Sequence, residues 1–221
     1  MGFVVKLSGK KENYEKEHMY FKIAADHVID GRLIAFPTDS VYSLGGDPKN
    51  LNVCERFYDI KFQDRNKGFL LLVADIEEAK KIANFTELDE KLARRFWPGE
   101  LSLILKQKEN SFISPEVTGN RDTIRLRVPK NPIILSILKA LKEKGEFGGL
   151  IGTSANFSEE PPSVSGKQVA KIFSRMVYYI IDSGKIKSKI TTTIVDCTEG
   201  DLKILRKGKI TKEELEQVKN E

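Results

Sequence analysis

The segment GFLLLVA, residues 68–74, constrains the fold more than any other part of this sequence. It is apolar throughout and too short for most helices, which is typical of a strand that is covered on both faces. Amphipathic helical stretches stand on either side of it in the chain, LNVCERFYDIK at 51–61 and DIEEAKKIA at 75–83. A buried strand between helices predicts an α/β protein.

The rest of the chain alternates in the same way and shows no repeat period. Further strands are predicted at residues 32–36, 101–106, 122–128, 149–154, 177–182 and 191–196. Further helices are predicted at residues 15–31, 87–96, 131–144, 165–175 and 210–221. No low-complexity linker divides the chain, so we predict one domain over residues 1–221, with a core at about 17–210, one mixed sheet, and a C-terminal helical tail at 211–221 on the surface.

The composition reduces the number of possible functions but does not identify one. Lys and Arg outnumber Asp and Glu by 37 to 32, a net charge of +5, which is compatible with a basic groove for phosphates or RNA but on its own favours an ordinary charged surface. No metal-ligand spacing is present among Cys54, Cys197, His18 and His27. We therefore predict that the protein is found in a reducing compartment and contains no structural zinc. No apolar run approaches ~18 residues, so we expect no membrane span and predict a cytoplasmic protein.

Five polar clusters stand near the predicted strand ends, where ligands of α/β sheets tend to gather. Their mixture of cations and hydroxyl groups suits a polyphosphate, because Lys and Arg neutralise its charge while hydroxyls donate to its oxygens. The clusters are Thr38-Asp39-Ser40, Lys61 with Arg65 and Lys67, Thr123-Arg125-Arg127, Ser154-Ala155-Asn156, and Thr192-Thr193 with Arg206.

Each cluster also has a structural interpretation. Thr38 to Ser40 could cap the N-terminus of a helix, and Arg125 with Arg127 could form the outer face of an edge strand. Residues 61–67 could be a solvated loop and 153–158 a turn. Five clusters together favour a site. Since the sequence has no P-loop motif and no G-x-S-x-G, that site would work by positioning and charge neutralisation.

The order of these clusters resembles a known family. Seven blocks are similar to the successive signatures of the YrdC family, the threonylcarbamoyl-AMP synthases: FPTDSVYSLGGD, IKFQDRNKGFLLLVA, WPGELSLIL, DTIRLRVPKNP, TSANFS, TTTIVD and ILRKG. The resemblance runs from about Val28 to Ile210. It implies an α/β sandwich around a twisted sheet of parallel and antiparallel strands, with a basic concave face.

The resemblance also implies an activity. Such enzymes are nucleotidyltransferases that join L-threonine, bicarbonate or CO2, and ATP into threonylcarbamoyl-AMP, with Mg²⁺ expected beside the ATP and no metal ligands expected from the protein. A separate threonylcarbamoyl transferase complex then uses the product for the t6A modification of tRNA next to the anticodon. The alternatives are a non-enzymatic protein that binds tRNA or double-stranded RNA in the same concavity, and a carbamoyl-adenylating domain like that of hydrogenase maturation proteins.

Residue roles follow from the same resemblance. ATP would be bound by Lys61, Lys67, Thr123, Ser154, Asn156 and Arg206. Threonine would be bound by Ser40, Arg127 and Thr192. Lys61 and Lys67 would be the catalytic residues, because they would spread the charge of the leaving pyrophosphate. The sequence differs from the family pattern at three places. Gln63 stands for an Arg, which Arg65 could replace, and Ser43 stands for a Gly, so it would be strained at a positive φ. The usual Gly after S-A-N-x-S is missing, and Glu159 and Glu160 bring two negative charges near the expected phosphate site.

Overall fold

The computed structural model describes residues 2–8, 13, 15–62, 64–158, 160–186 and 191–221. Gln63 and Glu159 therefore lie outside the described residues. Within them, ten strands form one continuous sheet. The strands are β1 Phe3–Lys6, β2 Ile34–Pro37, β3 Tyr42–Gly46, β4 Leu70–Val73, β5 Leu101–Lys106, β6 Thr123–Arg127, β7 Gly149–Ser154, β8 Tyr179–Asp182, β9 Thr193–Asp196 and β10 Lys203–Arg206.

The sheet is mixed, as the sequence predicts. Its strand order is β1-β8-β2-β3-β7-β4-β6-β5-β9-β10. The pairs β1–β8, β8–β2, β4–β6 and β5–β9 are parallel, and the other five pairs are antiparallel. Pairing of β3 with β7 sets Ser43 opposite Ser154, and pairing of β4 with β6 sets Leu72 opposite Arg127. Three of the polar clusters therefore meet near the middle of the sheet.

Every helix that the sequence predicts is present among the described residues, with a short additional one at 115–118. The helices are α1 His18–Ile29, α2 Leu51–Lys61, α3 Ile76–Ile82, α4 Glu87–Phe96, α5 Pro115–Thr118, α6 Pro132–Glu143, α7 Gly166–Phe173 and α8 Lys212–Asn220. Side-chain caps begin several of them: Asn50 accepts from the backbone of α2, and Thr86 with Asp89 forms a capping box on α4. No described helix is long and apolar enough to cross a membrane.

The helices cover the two faces of the sheet unequally. On one face, a large core cluster joins strand residues such as Leu44, Leu71 and Leu103 to α2, α3, α4, α7 and α8. On the other face, α1 and α6 pack over Ile34 and Phe36 and their neighbours in β4, β7 and β8. This second cluster includes no described residue of β5, β6, β9 or β10. Half of that face is therefore left without a helical cover.

The N-cap interpretation of Thr38 to Ser40 is wrong. The turn leads into a strand, because β2 and β3 form an antiparallel hairpin in which Pro37 lies opposite Tyr42. The Thr38 hydroxyl accepts from the backbone N–H groups of Ser40 and Val41, both at 3.2 Å, and donates to the Val41 carbonyl at 2.7 Å. The hydroxyl thus closes a hairpin turn. Ser43 lies inside β3 and has no positive φ, so the strain expected there does not arise.

The core extends beyond the predicted limits of residues 17–210. Leu7 is buried in the core on the α1 side of the sheet, and Leu215 and Val218 of α8 are buried on the opposite side. The α8 helix lies on the surface, as predicted, and packs against α4 through the apolar face that Leu215 and Val218 form. The Thr193 hydroxyl fixes the segment before α8, since it donates to the Ile210 carbonyl at 2.8 Å and accepts from the Ile210 N–H at 3.0 Å.

Candidate functional site

A cleft of about 340 Å³ lies on the half of the sheet that α1 and α6 leave uncovered. Most of the residues that line it carry a hydroxyl or guanidinium group. Five of the nine predicted site residues line it, namely Ser40, Arg127, Ser154, Thr192 and Arg206. They come from the β2–β3 turn, β6, the end of β7, the residue before β9 and the end of β10. The fold therefore assembles one polar cleft from five separate stretches of sequence.

Arg127 is held rigidly on the wall of this cleft. Its side chain is only 4% exposed. Its Nε donates to the Gly99 carbonyl at 2.8 Å, and its Nη2 donates to the carboxylate of Asp39. Burial lowers the pKa of the guanidinium, and the Asp39 charge opposes that shift. Nη1 has no acceptor among the described residues, so it remains available to a ligand.

Among the described residues, Thr192 alone holds Arg206 by hydrogen bonds. Its Nε donates to the Thr192 carbonyl at 2.9 Å, and its Nη2 donates to the Thr192 hydroxyl. Burial and then the positive charge of Arg127 lower the pKa of Arg206. Because the Thr192 oxygen already accepts from Arg206, its own proton is left to donate towards the cleft.

Lys61 and Asn156 lie behind the cleft wall and do not line it. The Lys61 ammonium donates to the carbonyls of Ser154 and Asn156, at 3.0 and 2.7 Å, and to the Asn156 side-chain oxygen at 3.0 Å. The Asn156 amide donates to two further carbonyls of the same loop. Lys61 thus ties the end of α2 to the loop that carries Ser154. Burial and then the charge of Lys67 lower the pKa of Lys61 to about 8, while three oxygen acceptors favour its charged form.

Lys67 and Thr123 line a second, smaller cleft of about 120 Å³, and Arg125 lines both clefts. Of the predicted ATP-binding residues, Ser154 and Arg206 thus line the main cleft and Lys67 and Thr123 the second one, whereas Lys61 and Asn156 line neither. Arg65 lines neither cleft. It forms a bidentate ion pair with Glu55 at 2.5 Å and lies over the Tyr58 ring, so it does not replace the cation that Gln63 lacks.

The third cluster differs from its prediction. Thr123, Arg125 and Arg127 run along the whole of β6, on one face, as the alternation of the strand requires. β6 lies between β4 and β5, so the edge-strand interpretation is wrong. The sequence pattern could have indicated Arg125 as a site residue, because the alternation of a strand puts it on the same face as Arg127. Ser102 also lines the cleft, and its position within an apolar strand gave no signal.

The fold and the cleft define a class of α/β proteins with one mixed sheet. Helices cover only half of one face of that sheet, and the uncovered half carries three arginines among hydroxyl groups. The chain belongs to the Sua5/YciO/YrdC family, because the model of that family, described as "telomere recombination", matches residues 27–208. This confirms the resemblance drawn from the sequence motifs.

Individual relatives agree with the family model. A threonylcarbamoyl-AMP synthase of Pyrococcus abyssi is 33% identical over 203 residues, which are 91% of this chain and 58% of that relative. The structure of P. abyssi Sua5 complexed with L-threonine has a TM-score of 0.82 at 30% identity, over 99% of this chain and 60% of that one. Escherichia coli YciO has a TM-score of 0.77 at 25% identity, over 94% of this chain and 95% of that one. The chain thus spans less than two thirds of the length of the P. abyssi protein.

Proposed function

We propose that this protein is a threonylcarbamoyl-AMP synthase, which joins L-threonine, bicarbonate or CO2, and ATP and releases pyrophosphate. The observation that carries the proposal is the meeting of Ser40, Arg127, Ser154, Thr192 and Arg206 in one cleft. An anchored arginine beside hydroxyl groups suits an amino acid, and a second arginine suits a nucleotide. The name of the P. abyssi relative and the threonine complex of P. abyssi Sua5 support the same function.

In this proposal, Arg127 binds the threonine carboxylate. Its Nε and Nη2 contacts fix the guanidinium plane, so the remaining N–H groups face a carboxylate in the geometry of parallel hydrogen bonds. The hydroxyls of Ser40 and Thr192 contact the amino acid from the neighbouring walls. Thr192 can donate, because Arg206 already occupies its oxygen as an acceptor.

ATP lies along the other part of the cleft in the same proposal. Ser154 contacts its phosphates from a loop that Lys61 and Asn156 hold in shape, while Thr123 and Lys67 contact ATP from the second cleft. Arg206 packs its guanidinium plane on the adenine. Lys61 thus acts on ATP through the loop it fastens, and it reaches the phosphates only by giving up those carbonyl bonds.

The chemistry balances without a protein nucleophile. The threonine amine takes up CO2 to form a carbamate and releases a proton. A carbamate oxygen then attacks the α-phosphorus of ATP, and the bond to the bridging oxygen of pyrophosphate breaks. The attacking group is already an anion, so no protein base is needed. Lys67 spreads the charge on the departing pyrophosphate, and Mg²⁺ brought in with ATP would supply further neutralisation.

The described residues include no group of three His, Cys, Asp or Glu side chains suited to a metal. We expect Mg²⁺ to enter as part of the Mg–ATP substrate, since Mg²⁺ is usually held by one or two carboxylates together with substrate phosphates. The product would pass to a tRNA-modifying threonylcarbamoyl transferase complex in the cytoplasm.

Pyrophosphate release tests the proposal. The wild-type chain should release pyrophosphate from ATP only when both threonine and bicarbonate are present. Arg127→Ala should abolish the release, mainly through threonine binding, and Lys61→Ala should abolish it through ATP binding. Arg65→Gln is the matched control, because it removes an arginine that is paired with Glu55 outside both clefts. Release without threonine would refute the proposal, as would tight tRNA binding at physiological salt by a chain that binds neither ATP nor threonine.

A further inference from the structure

Arg125 occupies the boundary between the two clefts. It is the middle residue of the row that Thr123 and Arg127 complete on β6. Both the 340 Å³ cleft and the 120 Å³ cleft have Arg125 in their walls. A group bound across this boundary therefore meets the Arg125 guanidinium from either side.

The part of the chain that the structure describes supplies no counterion for this guanidinium. Arg127 is paired with Asp39, and Arg206 donates twice to Thr192. Arg125, by contrast, has no hydrogen bond or ion pair with any described residue. Burial and the nearby charge of Arg206 lower the pKa of Arg125 to about 10. A partly buried cation without a partner lowers the stability of the folded state. The presence of such a cation in a cleft therefore favours a role in binding an anion.

The charge of the second cleft is also positive. Lys67 and Arg121 line it together with Arg125, and Asp196 is the one carboxylate among its lining residues. An oxygen of Asp196 already accepts from the backbone and hydroxyl of Thr198, at 3.0 and 2.7 Å. Cations thus continue from the main cleft through Arg125 to Lys67, along a path that suits a chain of phosphates.

We propose that Arg125 is a further anion-binding residue of this site, which holds the phosphate chain of the nucleotide where it passes from the main cleft into the second cleft. The proposal rests on the proposed function only for the identity of the nucleotide. It assigns the second cleft to the outer phosphates. The guanidinium then gains its missing partner only when a polyphosphate is bound.

Calorimetric titration with inorganic tripolyphosphate, ATP and AMP tests this assignment. Arg125→Met, which keeps an unbranched apolar stem and removes the charged guanidinium, should lower the affinities for tripolyphosphate and ATP by about tenfold or more, the scale of a lost hydrogen bond to a charged group. The affinity for AMP should fall by less than about threefold, because AMP has no outer phosphates. The tripolyphosphate affinity of Arg125→Lys should lie between those of the wild type and Arg125→Met, since lysine keeps the charge and lacks the planar guanidinium.

Two controls make the result decisive. Arg65→Gln removes one positive charge outside both clefts and should leave tripolyphosphate affinity within about twofold. The melting temperature of ligand-free Arg125→Met should equal or exceed that of the wild type, because the substitution removes an unpaired charge. Unchanged tripolyphosphate affinity, equal losses for AMP and ATP, or a fall in melting temperature would each overturn the assignment. Tripolyphosphate binding that depends on Arg125 without pyrophosphate release would sink the proposed function and leave this inference standing.

Discussion

The ion pair between Arg127 and Asp39 shows how one residue can serve both stability and binding. The two side chains are only 4% and 14% exposed. Asp39→Ala would leave a buried guanidinium without its counterion, so we expect the free energy of unfolding to fall by about 3–5 kcal/mol. Urea unfolding measures this. Asp30→Ala is the control, because Asp30 lies in an exposed pair with Arg32 at 3.7 Å and should cost at most about 1 kcal/mol. Equal losses in the two variants would show that solvent reaches Arg127.

Lys61 makes the free energy of unfolding depend on pH. Its pKa in the folded protein is lowered to about 8, from an ordinary value of 10.5. Between these values the unfolded chain binds the proton more tightly, so the contribution of Lys61 to stability rises as the pH increases from about 8 towards 10.5. Lys61→Met lacks this contribution. When urea unfolding is measured at pH 7.5 and at pH 10, the free energy of unfolding should therefore rise more, or fall less, in the wild type than in Lys61→Met. A parallel response in both chains would mean that the three oxygen acceptors restore the ordinary pKa.

At the scale of elements, the sequence predicts those strands whose side chains are buried in apolar runs. β4 and β7 are examples, since they lie in the middle of the sheet. The three missed strands lack that signal. β1 is mostly exposed at the sheet edge, β3 contains a Gly-Gly pair, and β10 is flanked by charged residues. β1 depends on pairing with the distant strand β8, whereas β3 and β10 form through pairing with their chain neighbours β2 and β9, which an apolar run does not reveal.

The same limit applies to the site. The order of the motifs identified the residues that meet in the main cleft, but the partners of those residues are distant in sequence. Asp39 and Arg127 are 88 residues apart, and Lys61 and Asn156 are 95 apart. Only the folded sheet shows that Lys61 is turned towards a loop, and that Arg125 lies between two clefts.

The end of β10 depends on close backbone packing at Gly208. A Cβ there would lie 2.4 Å from backbone atoms of Thr191, Thr192 and Thr193. Gly208→Ala must therefore displace the segment after Arg206, and we expect it to cost about 1–3 kcal/mol of stability and to weaken ATP binding. Calorimetry and urea unfolding measure the two effects.

Gly200→Ala is the matched control for Gly208. Gly200 has a φ of +79° but no atom within 4 Å of the added Cβ. This substitution should cost about 1–2 kcal/mol through backbone strain and leave ATP affinity unchanged. An equal loss of ATP affinity in both variants would show that general destabilisation, and not the displacement of Arg206, weakens binding.

At the scale of the whole molecule, the uneven helical cover explains why the cleft lies where it does. The apolar side chains of β2, β4, β7 and β8 require α1 and α6 above them, whereas β6 presents Thr123, Arg125 and Arg127 on the same face. Burial under a helix would strip Arg125 of water without giving it a partner. The alternation of polar residues on β6 thus keeps half of the face open.

The assembly of the cleft from distant segments predicts how ligands stabilise the protein. Ser40 lies near the start of the chain and Arg206 near its end, so a ligand that touches both is bound only by the folded state. A ligand at 100 times its Kd should then raise the free energy of unfolding by about 2.7 kcal/mol. Because Arg127 and Arg206 repel each other and line one cleft, neutralisation of either by an anionic substrate should favour the folded form further. We expect threonine and Mg–ATP together to raise the melting temperature by at least the sum of their separate effects. A combined shift no larger than that of ATP alone would mean that the two ligands compete for the same part of the cleft.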